Sequence, residues 1–407
     1  MLALQILKWF LLVAETGLAG PVLYLCIVSF ASVVAAKRRK VGEIASSSEL
    51  SSPARFAILI PAHNEETVLG TLLNSLGELN YPDDGYTVYV VADNCTDGTA
   101  ELARSTNRVH VYERFDNVRR GKGYALNWLL QKLEEAQLIY DAYVVLDADS
   151  VVAPTFLRVM NRELMGGAQA LQALNTVLNN TESPSTALRW IALTLMNHVR
   201  PLGRNALGGS STLTGNGMCF SRALLIRHPW QAFSVAEDYQ YYLTLVENGE
   251  RVCYVPEAIV YSTMPITFRQ MRTQDVRWEA AGHDQKAWLV ALKLLGAGLR
   301  AHDFMRIEAV AELLTPPLSS LMFCCWLVLV ASLLIWFPPG LLLGLMLIGG
   351  LAFYIGTALY LLRPSRTVYR AILYAPGFVL WKLWVFFVLS RSKKHAGEWV
   401  RTSRITS

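Results

Sequence analysis

The stretch VVLDADSVV, residues 144–152, decides how this chain is read. Val144–Leu146 is an apolar run suited to a buried strand. It ends in two carboxylates one residue apart, Asp147 and Asp149, before Val151 and Val152 restore the apolar character. Acids at i and i+2 on a strand leaving a sheet can both turn toward one point. The pair is therefore either a polar turn or the edge of a cation site. A hard divalent ion such as Mg²⁺ or Mn²⁺ needs only one or two protein carboxylates when a substrate diphosphate supplies the other oxygens.

Upstream of this stretch the pattern alternates strand and helix. Arg55–Pro61 is a short apolar run, Glu65–Leu79 has helical spacing, and Tyr86–Asn94 alternates into a polar turn. Thr99–Arg104 reads as a helix, Val109–Arg114 as a third strand and Gly123–Ala136 as a helix. Strands alternating with helices predict an α/β unit with a mostly parallel sheet over residues 53–265. Ligands of such sheets bind beyond the carboxyl ends of the strands. By that rule Ala62–Glu65, Asp93–Asp97 and Asp147–Asp149 line one crevice.

The rest of the composition points to a membrane. Hydrophobic residues make up 53% of the 407, and mean hydropathy is +0.30. The apolar residues concentrate at the two ends. Gly17–Ala36 carries no charge over roughly a bilayer's length and is followed by Lys37-Arg-Arg-Lys40. A signal peptide would place the cluster first, so residues 1–40 read as an uncleaved anchor with its C-terminal end in the cytoplasm. Residues 1–16 extend this helix or lie at the interface. Residues 315–362 hold two spanning candidates, Pro317–Phe337 and Gly340–Leu362, separated by a Pro338-Pro339 turn. Residues 363–407 combine a basic tail with a stretch, Ala371–Leu389, that has positive charge on both sides. Equal flanks favour a re-entrant or interfacial segment over a crossing. The formal charge of +5 is small, and its placement beside apolar segments reads as membrane anchoring, with no nucleic-acid footprint. Six cysteines without a C-x-x-C pair suggest neither a disulfide framework nor a zinc site. Glu43–Pro53, rich in Ser, reads as a linker.

Further motifs have two readings each. Gly121-Lys122-Gly123, in the basic turn Arg119–Gly123, is a phosphate cradle at a helix start or a solvated turn. Glu65 and Asp93, at neighbouring strand ends, could accept hydrogen bonds from a base or ribose. Ala236-Glu237-Asp238 caps a helix over Tyr239–Glu247 or supplies a general base. Thr214-Gly-Asn-Gly217 is a flexible turn that could line a sugar pocket. Gln274-Asp-Val-Arg277-Trp278 lies in the amphipathic stretch 266–314, and binds pyrophosphate and a sugar face or anchors an interfacial helix.

Taken together, PAHNEE (61–66), VVADNCTD (90–97), RGKGYALN (120–127), LDADS (146–150), TGNGMCF (214–220), AED (236–238) and QDVRW (274–278) resemble a membrane-integrated family-2 glycosyltransferase, the group that includes cellulose, chitin and hyaluronan synthases. They occur in that family's order across more than half of the chain. The resemblance implies a GT-A fold, a Rossmann-like mixed sheet flanked by transmembrane helices. It also implies inverting transfer from a nucleotide-diphospho-sugar, with UDP-sugars the commonest donors, using Mg²⁺ or Mn²⁺. Carried over, Glu65 and Asp93 contact the base and Asp147 the nucleotide, Asp149 ligates the metal, and Asp238 is the catalytic base. Gln274, Arg277 and Trp278 close over the diphosphate and the acceptor terminus, and Lys122 contacts the donor. The acceptor is a glycan or a lipid-linked group, met at the cytoplasmic face of an inner or plasma membrane that the chain crosses several times. Few membrane segments, compared with cellulose synthases, leave room for accessory export proteins. Two other readings compete. VVLDADSVV also resembles the start of haloacid-dehalogenase-type phosphatases, with Asp147 as nucleophile, and the chain could be a non-catalytic membrane scaffold. A dinucleotide-binding oxidoreductase is disfavoured, because no G-x-G-x-x-G follows the first strand.

Overall fold

The computed structural model describes residues 2–43, 52–266 and 287–385. Gln274, Arg277 and Trp278 lie outside the described residues, as do most of the proposed linker and the basic tail. The centre of the chain is one eight-stranded sheet of order β3-β2-β1-β4-β7-β6-β8-β5. Its strands are β1 (Phe56–Ala62), β2 (Tyr86–Asp93), β3 (Val109–Arg114), β4 (Ala142–Val145), β5 (Ser150–Val152), β6 (Ala170–Val177), β7 (Met218–Ser221) and β8 (Val252–Ser262).

The first four strands form a parallel half, with Phe56 opposite both Tyr86 and Ala142. Beyond it the expectation of a mostly parallel sheet gives way. β7 runs antiparallel to β4 and β6, β6 and β8 are parallel, and β5 returns antiparallel on the edge. The two apolar halves of VVLDADSVV are separate strands, because Leu146–Asp149 carries the chain out of β4 before β5 pairs with β8 at the far edge.

Every residue of β1 is buried, as expected for a strand covered on both faces. Phe56, Ile58 and Ile60 pack with Leu69, Leu72, Leu73 and Leu76 of the helix Glu66–Gly77. Ala57 and Leu59 face the other way, toward Leu126 and Leu129 of the helix Lys122–Glu135 and Tyr241, Tyr242 and Leu245 of the helix Glu237–Glu247. The helices that carry Lys122 and Asp238 thus share one layer over the parallel half.

Two described helices are long and apolar enough to cross a membrane, Leu2–Arg39 and Pro338–Leu362. Residues 2–16 continue the first of these helices, which runs to Glu43. A third span would need the helices Phe304–Leu314 and Leu318–Leu334 together, and these are bent by 65° at their junction. Pro338 and Pro339 do not form the turn expected of them. They occupy the first positions of their helix, where a missing N–H costs nothing, and the turn precedes them at Trp336, φ 50°. Val22 and Leu25 of the first helix pack with Leu347, Leu351 and Tyr354. The first helix also reaches the α/β unit, where Arg39 donates two hydrogen bonds to Glu257 at 2.7 and 2.9 Å.

Candidate active site

The carboxyl ends of β1, β2 and β4 lie at one edge of the sheet, and the amino end of β7 joins them because it is antiparallel to β4. That edge gathers His63–Glu65, Asp93, Asp147–Asp149 and Thr214–Gly217. Asn64 and Asn94 each take a left-handed conformation just past the strand, φ 57° and 52°, which suits Asn and ends the strand sharply. Both side chains then bind the next loop. Asn64 Oδ1 accepts from Thr96 N at 2.7 Å, and Asn94 Oδ1 accepts from Asp116 N at 2.9 Å. Glu65 sits at the start of the helix Glu66–Gly77, its N–H donated to Thr99 Oγ1.

Asp93 is buried at 1% exposure and accepts from Arg114 Nη1 at 2.6 Å. Its second oxygen, Oδ2, is buried and has no hydrogen-bond partner among the described residues. Burial raises the carboxyl's pKa above its usual range, against the lowering effect of Arg114, His63 and Asn94.

Lys122 is the central cation. It opens its helix after Gly121, whose φ of 122° only glycine takes easily. Its Nζ donates to Asp147 Oδ1 at 2.5 Å and to the Gly215 carbonyl, and lies 3.7 Å from Glu237 Oε1. Burial works against the ammonium, but Asp147, Glu237 and Asp238 together outweigh it and raise the lysine's pKa. Asp238 stands in the first turn of Glu237–Glu247, with Oδ1 accepting from Tyr239 N at 2.8 Å. The helix therefore begins at Glu237, earlier than its sequence pattern suggests, and both acids of AED lie inside it. A methyl group built on Gly215 would sit 3.1 Å from Asp238 Oδ2 and 3.4 Å from Lys122 Nζ. Gly215, at φ +77°, is thus wedged between the base candidate and the cation. Burial raises the pKa of Glu237 to about 7, opposed by Lys122 and reinforced by Asp238. Burial raises that of Asp238 as well, again opposed by Lys122.

The Thr214–Gly217 turn is held firmly, unlike the flexible turn expected. Buried Gln172 accepts from Thr214 N and donates to the Asn216 carbonyl. Asn216, fully buried, accepts from Asp147 N at 3.2 Å and donates to Ser150 Oγ at 2.8 Å and Ser262 Oγ at 3.3 Å. One amide side chain therefore clamps the Asp147–Asp149 turn to β7 and β8. Asp147 is partly exposed to the crevice and Asp149 lies half-buried in the turn beside it. Arg114, Gln172, Asn216 and Glu237 carried no assigned role in the sequence. Asn216 and Glu237 stood inside quoted motifs, whereas Gln172 gives no local signal.

The sheet with its parallel half β3-β2-β1-β4 and a mixed half beyond it, carrying these acids and Lys122 at its strand ends, is a GT-A fold. A mannosyltransferase from Pyrobaculum calidifontis, solved with GDP-Man and Mn²⁺, shares it with a TM-score of 0.55 at 18% identity, over 95% of this chain and 99% of that one. The family described as glycosyltransferase like family 2 matches residues 53–281, more than half of the chain, and the chain belongs to it. A beta-monoglucosyldiacylglycerol synthase from Nostoc sp. is 33% identical over 191 residues, 45% of this chain and 39% of its own length. A poly-beta-1,6-N-acetyl-D-glucosamine synthase from Staphylococcus aureus is 26% identical over 237 residues, 56% of this chain and 55% of its own. The chain spans about half the length, or less, of these curated relatives. Membership of the family sets aside the phosphatase reading of VVLDADSVV.

Proposed function

We propose that the chain is an inverting, metal-dependent transferase that moves a sugar from a nucleoside diphosphate, UDP first among candidates, to a hydroxyl of a glycan or lipid-linked acceptor. The observation that carries this reading is Lys122, one ammonium held between Asp147 and the Glu237–Asp238 pair at the strand ends. A donor diphosphate lying along that lysine brings its anomeric carbon before Asp238. Asp238 takes the proton of the acceptor hydroxyl as the oxygen attacks from the face opposite the leaving group, and a single displacement inverts the centre. Lys122 opposes the negative charge that grows on the departing diphosphate. Asp93 and Glu65 hold the base and ribose side, and Asp147 the nucleotide. Gln274, Arg277 and Trp278, by their motif, close over the diphosphate and acceptor.

Among the described residues no group of three His, Cys, Asp or Glu is gathered to hold a cation. That donor set suits a hard ion taking Asp149, and at most Asp147, from the protein and its other oxygens from the diphosphate. Bound there, Mg²⁺ or Mn²⁺ supplies Lewis-acid stabilisation of the leaving group. The helices Leu2–Arg39 and Pro338–Leu362 support a multi-pass protein with this site on the cytoplasmic face, where Lys37–Lys40 would lie.

The test is nucleotide release by the full chain in nanodiscs, over a panel of UDP-, GDP- and dTDP-sugars with Mn²⁺, Mg²⁺ or EDTA. Metal-dependent release of one nucleoside diphosphate is expected. Turnover of no donor, or release of inorganic phosphate from phosphoesters instead, would overturn the proposal.

A further inference from the structure

The carboxylate of Asp238 takes its direction from its own helix. Its Oδ1 accepts from Tyr239 N, one residue on, so it points where the first turn of Glu237–Glu247 points. Two side chains of that helix bind the loop just before it. Gln240 accepts from Phe233 N and Ser234 N, and Tyr241 donates to the His228 carbonyl at 2.6 Å. Tyr242, one turn after Asp238 and on the same face, reaches elsewhere. Its hydroxyl accepts at 2.9 Å from Nη2 of Arg204, on the helix Arg200–Ala206. The same guanidinium grips Glu308 of the helix Phe304–Leu314, through Nε at 2.6 Å and Nη2 at 3.0 Å. Tyr24 of the first helix donates to Glu308 Oε1 at 2.6 Å, with Glu312 Oε2 3.1 Å away. Beside this chain of contacts, Arg200 donates to Glu312 Oε1 at 3.1 Å and to Tyr354 Oη at 2.8 Å, on the helix Pro338–Leu362. Backbones are close here too, since a methyl group on Gly203 would strike the Val28 carbonyl of the first helix.

We propose that Tyr24, Glu308 and Arg204 are positioning residues, a relay from the long first helix that acts through Tyr242 to set the place of Asp238. This rests on the reading of Asp238 as the general base. Arg200, Arg204 and Glu308 are buried and Glu312 nearly so, two positive charges against two negative ones. Burying such pairs is costly, and well-packed apolar residues in their place are often as stable or more so. Stability alone therefore does not account for the node. What the forked guanidinium adds is direction, because its planar donors fix Glu308 and the Tyr242 hydroxyl at set angles. A base must meet the acceptor hydroxyl within hydrogen-bond reach, and a misplacement of about 1 Å costs about 10²-fold in rate. Glu65, Asp93 and Asp147, assigned to the nucleotide, stand on other elements at the strand ends. The relay thus governs turnover and leaves nucleotide binding in place.

A double-mutant cycle on Tyr24→Phe and Tyr242→Phe, in the full chain in nanodiscs, tests this. Each change removes one hydroxyl and leaves the Arg204–Glu308 pair intact, so the variants keep the fold. The measurements are kcat with the nucleotide sugar that the wild type turns over, and equilibrium binding of UDP and GDP with Mn²⁺. Each single variant should lose about tenfold in kcat, inside the cost of a misplacement of about 1 Å. Nucleotide affinity should stay within about twofold of wild type. The double variant should fall little below either single one, because both hydroxyls act through the same guanidinium. Wild-type kcat in either single variant would overturn the inference, since a merely structural network lowers stability and spares turnover. Losses that multiply to about 100-fold in the double variant, as independent sites do, would overturn it as well. So would a fall in nucleotide affinity equal to the fall in kcat. Asp238→Asn run beside them separates the two readings, because full turnover there defeats the assignment of the base and the relay with it.

Discussion

Replacing Lys122 with methionine removes a cation shared by Asp147, Glu237 and Asp238, and its effect on proton transfer can be worked from the geometry. A methyl group built on Gly215 would lie 3.1 Å from Asp238 Oδ2 and 3.4 Å from Lys122 Nζ, so the two charges stand no more than about 6.5 Å apart. At an effective dielectric of about 20, a unit charge at that distance stabilises the carboxylate by about 2.6 kcal/mol. Burial already holds Asp238 above the ordinary carboxylate range, and Lys122 is the main influence pulling it back. A general base works as the anion, so activity rises with pH through this group's pKa. Loss of Lys122 therefore shifts the acid limb of the kcat profile toward higher pH. The assay is nucleotide release at saturating donor from pH 5 to pH 9, which separates this shift from weaker donor binding. An acid limb that stays in place, or moves down, while kcat falls would refute the argument that Lys122 and Asp238 share one electrostatic site.

Other perturbations have equally definite outcomes. Arg204, 1% exposed, pairs with Glu308 at 2.6 and 3.0 Å and donates to Tyr242 on the helix that carries Asp238. Arg204→Met strands a buried carboxylate and should cost about 3–5 kcal/mol in unfolding measurements, whereas Tyr242→Phe should cost about 1. Asn216→Ala leaves Asp147 N, Ser150 and Ser262 without their amide partner. It should destabilise the chain by about 1–3 kcal/mol and raise the Mn²⁺ concentration needed for half-maximal nucleotide release. EDTA should abolish transfer and added Mn²⁺ restore it, and Asp149→Asn should demand about tenfold or more metal for the same rate, the loss expected when a charged partner is removed. An unchanged Mn²⁺ titration in Asp149→Asn would remove that residue from the metal site.

Local chemistry explains which parts of this arrangement can be read from the sequence. β1 and the helix after it are legible because Phe56–Ala62 is apolar throughout and Leu69, Leu72, Leu73 and Leu76 recur at helical spacing. Asp93, Asp147 and Lys122 fall at one edge because parallel strands end on the same side. The antiparallel half is not legible, since strand direction after β4 depends on crossings that no short pattern records. The strand that VVLDADSVV predicts ends at the paired acids, and the pattern does not show that Val151 and Val152 begin a second strand with another partner, β5 with β8 where β4 pairs with β1 and β7. Arg114 and Gln172 stay hidden for a related reason. The partners that tie them to the site, Asp93 for Arg114 and Thr214 and Asn216 for Gln172, are 21, 42 and 44 residues away, and only the assembled sheet edge brings them together. The prolines at 338 and 339 mislead because the same residue type breaks a helix from within and begins one at its first turn.

The central claim, that Asp238 is the base of a nucleotide-sugar transferase, is tested most directly by Asp238→Asn measured for binding and turnover together. The account predicts a loss of kcat of about 10²-fold to 10⁴-fold, the range for a positioned general base. Metal-dependent binding of the donor nucleotide should stay within a few-fold of wild type. Full turnover in Asp238→Asn, or loss of turnover explained wholly by lost donor binding, would contradict it.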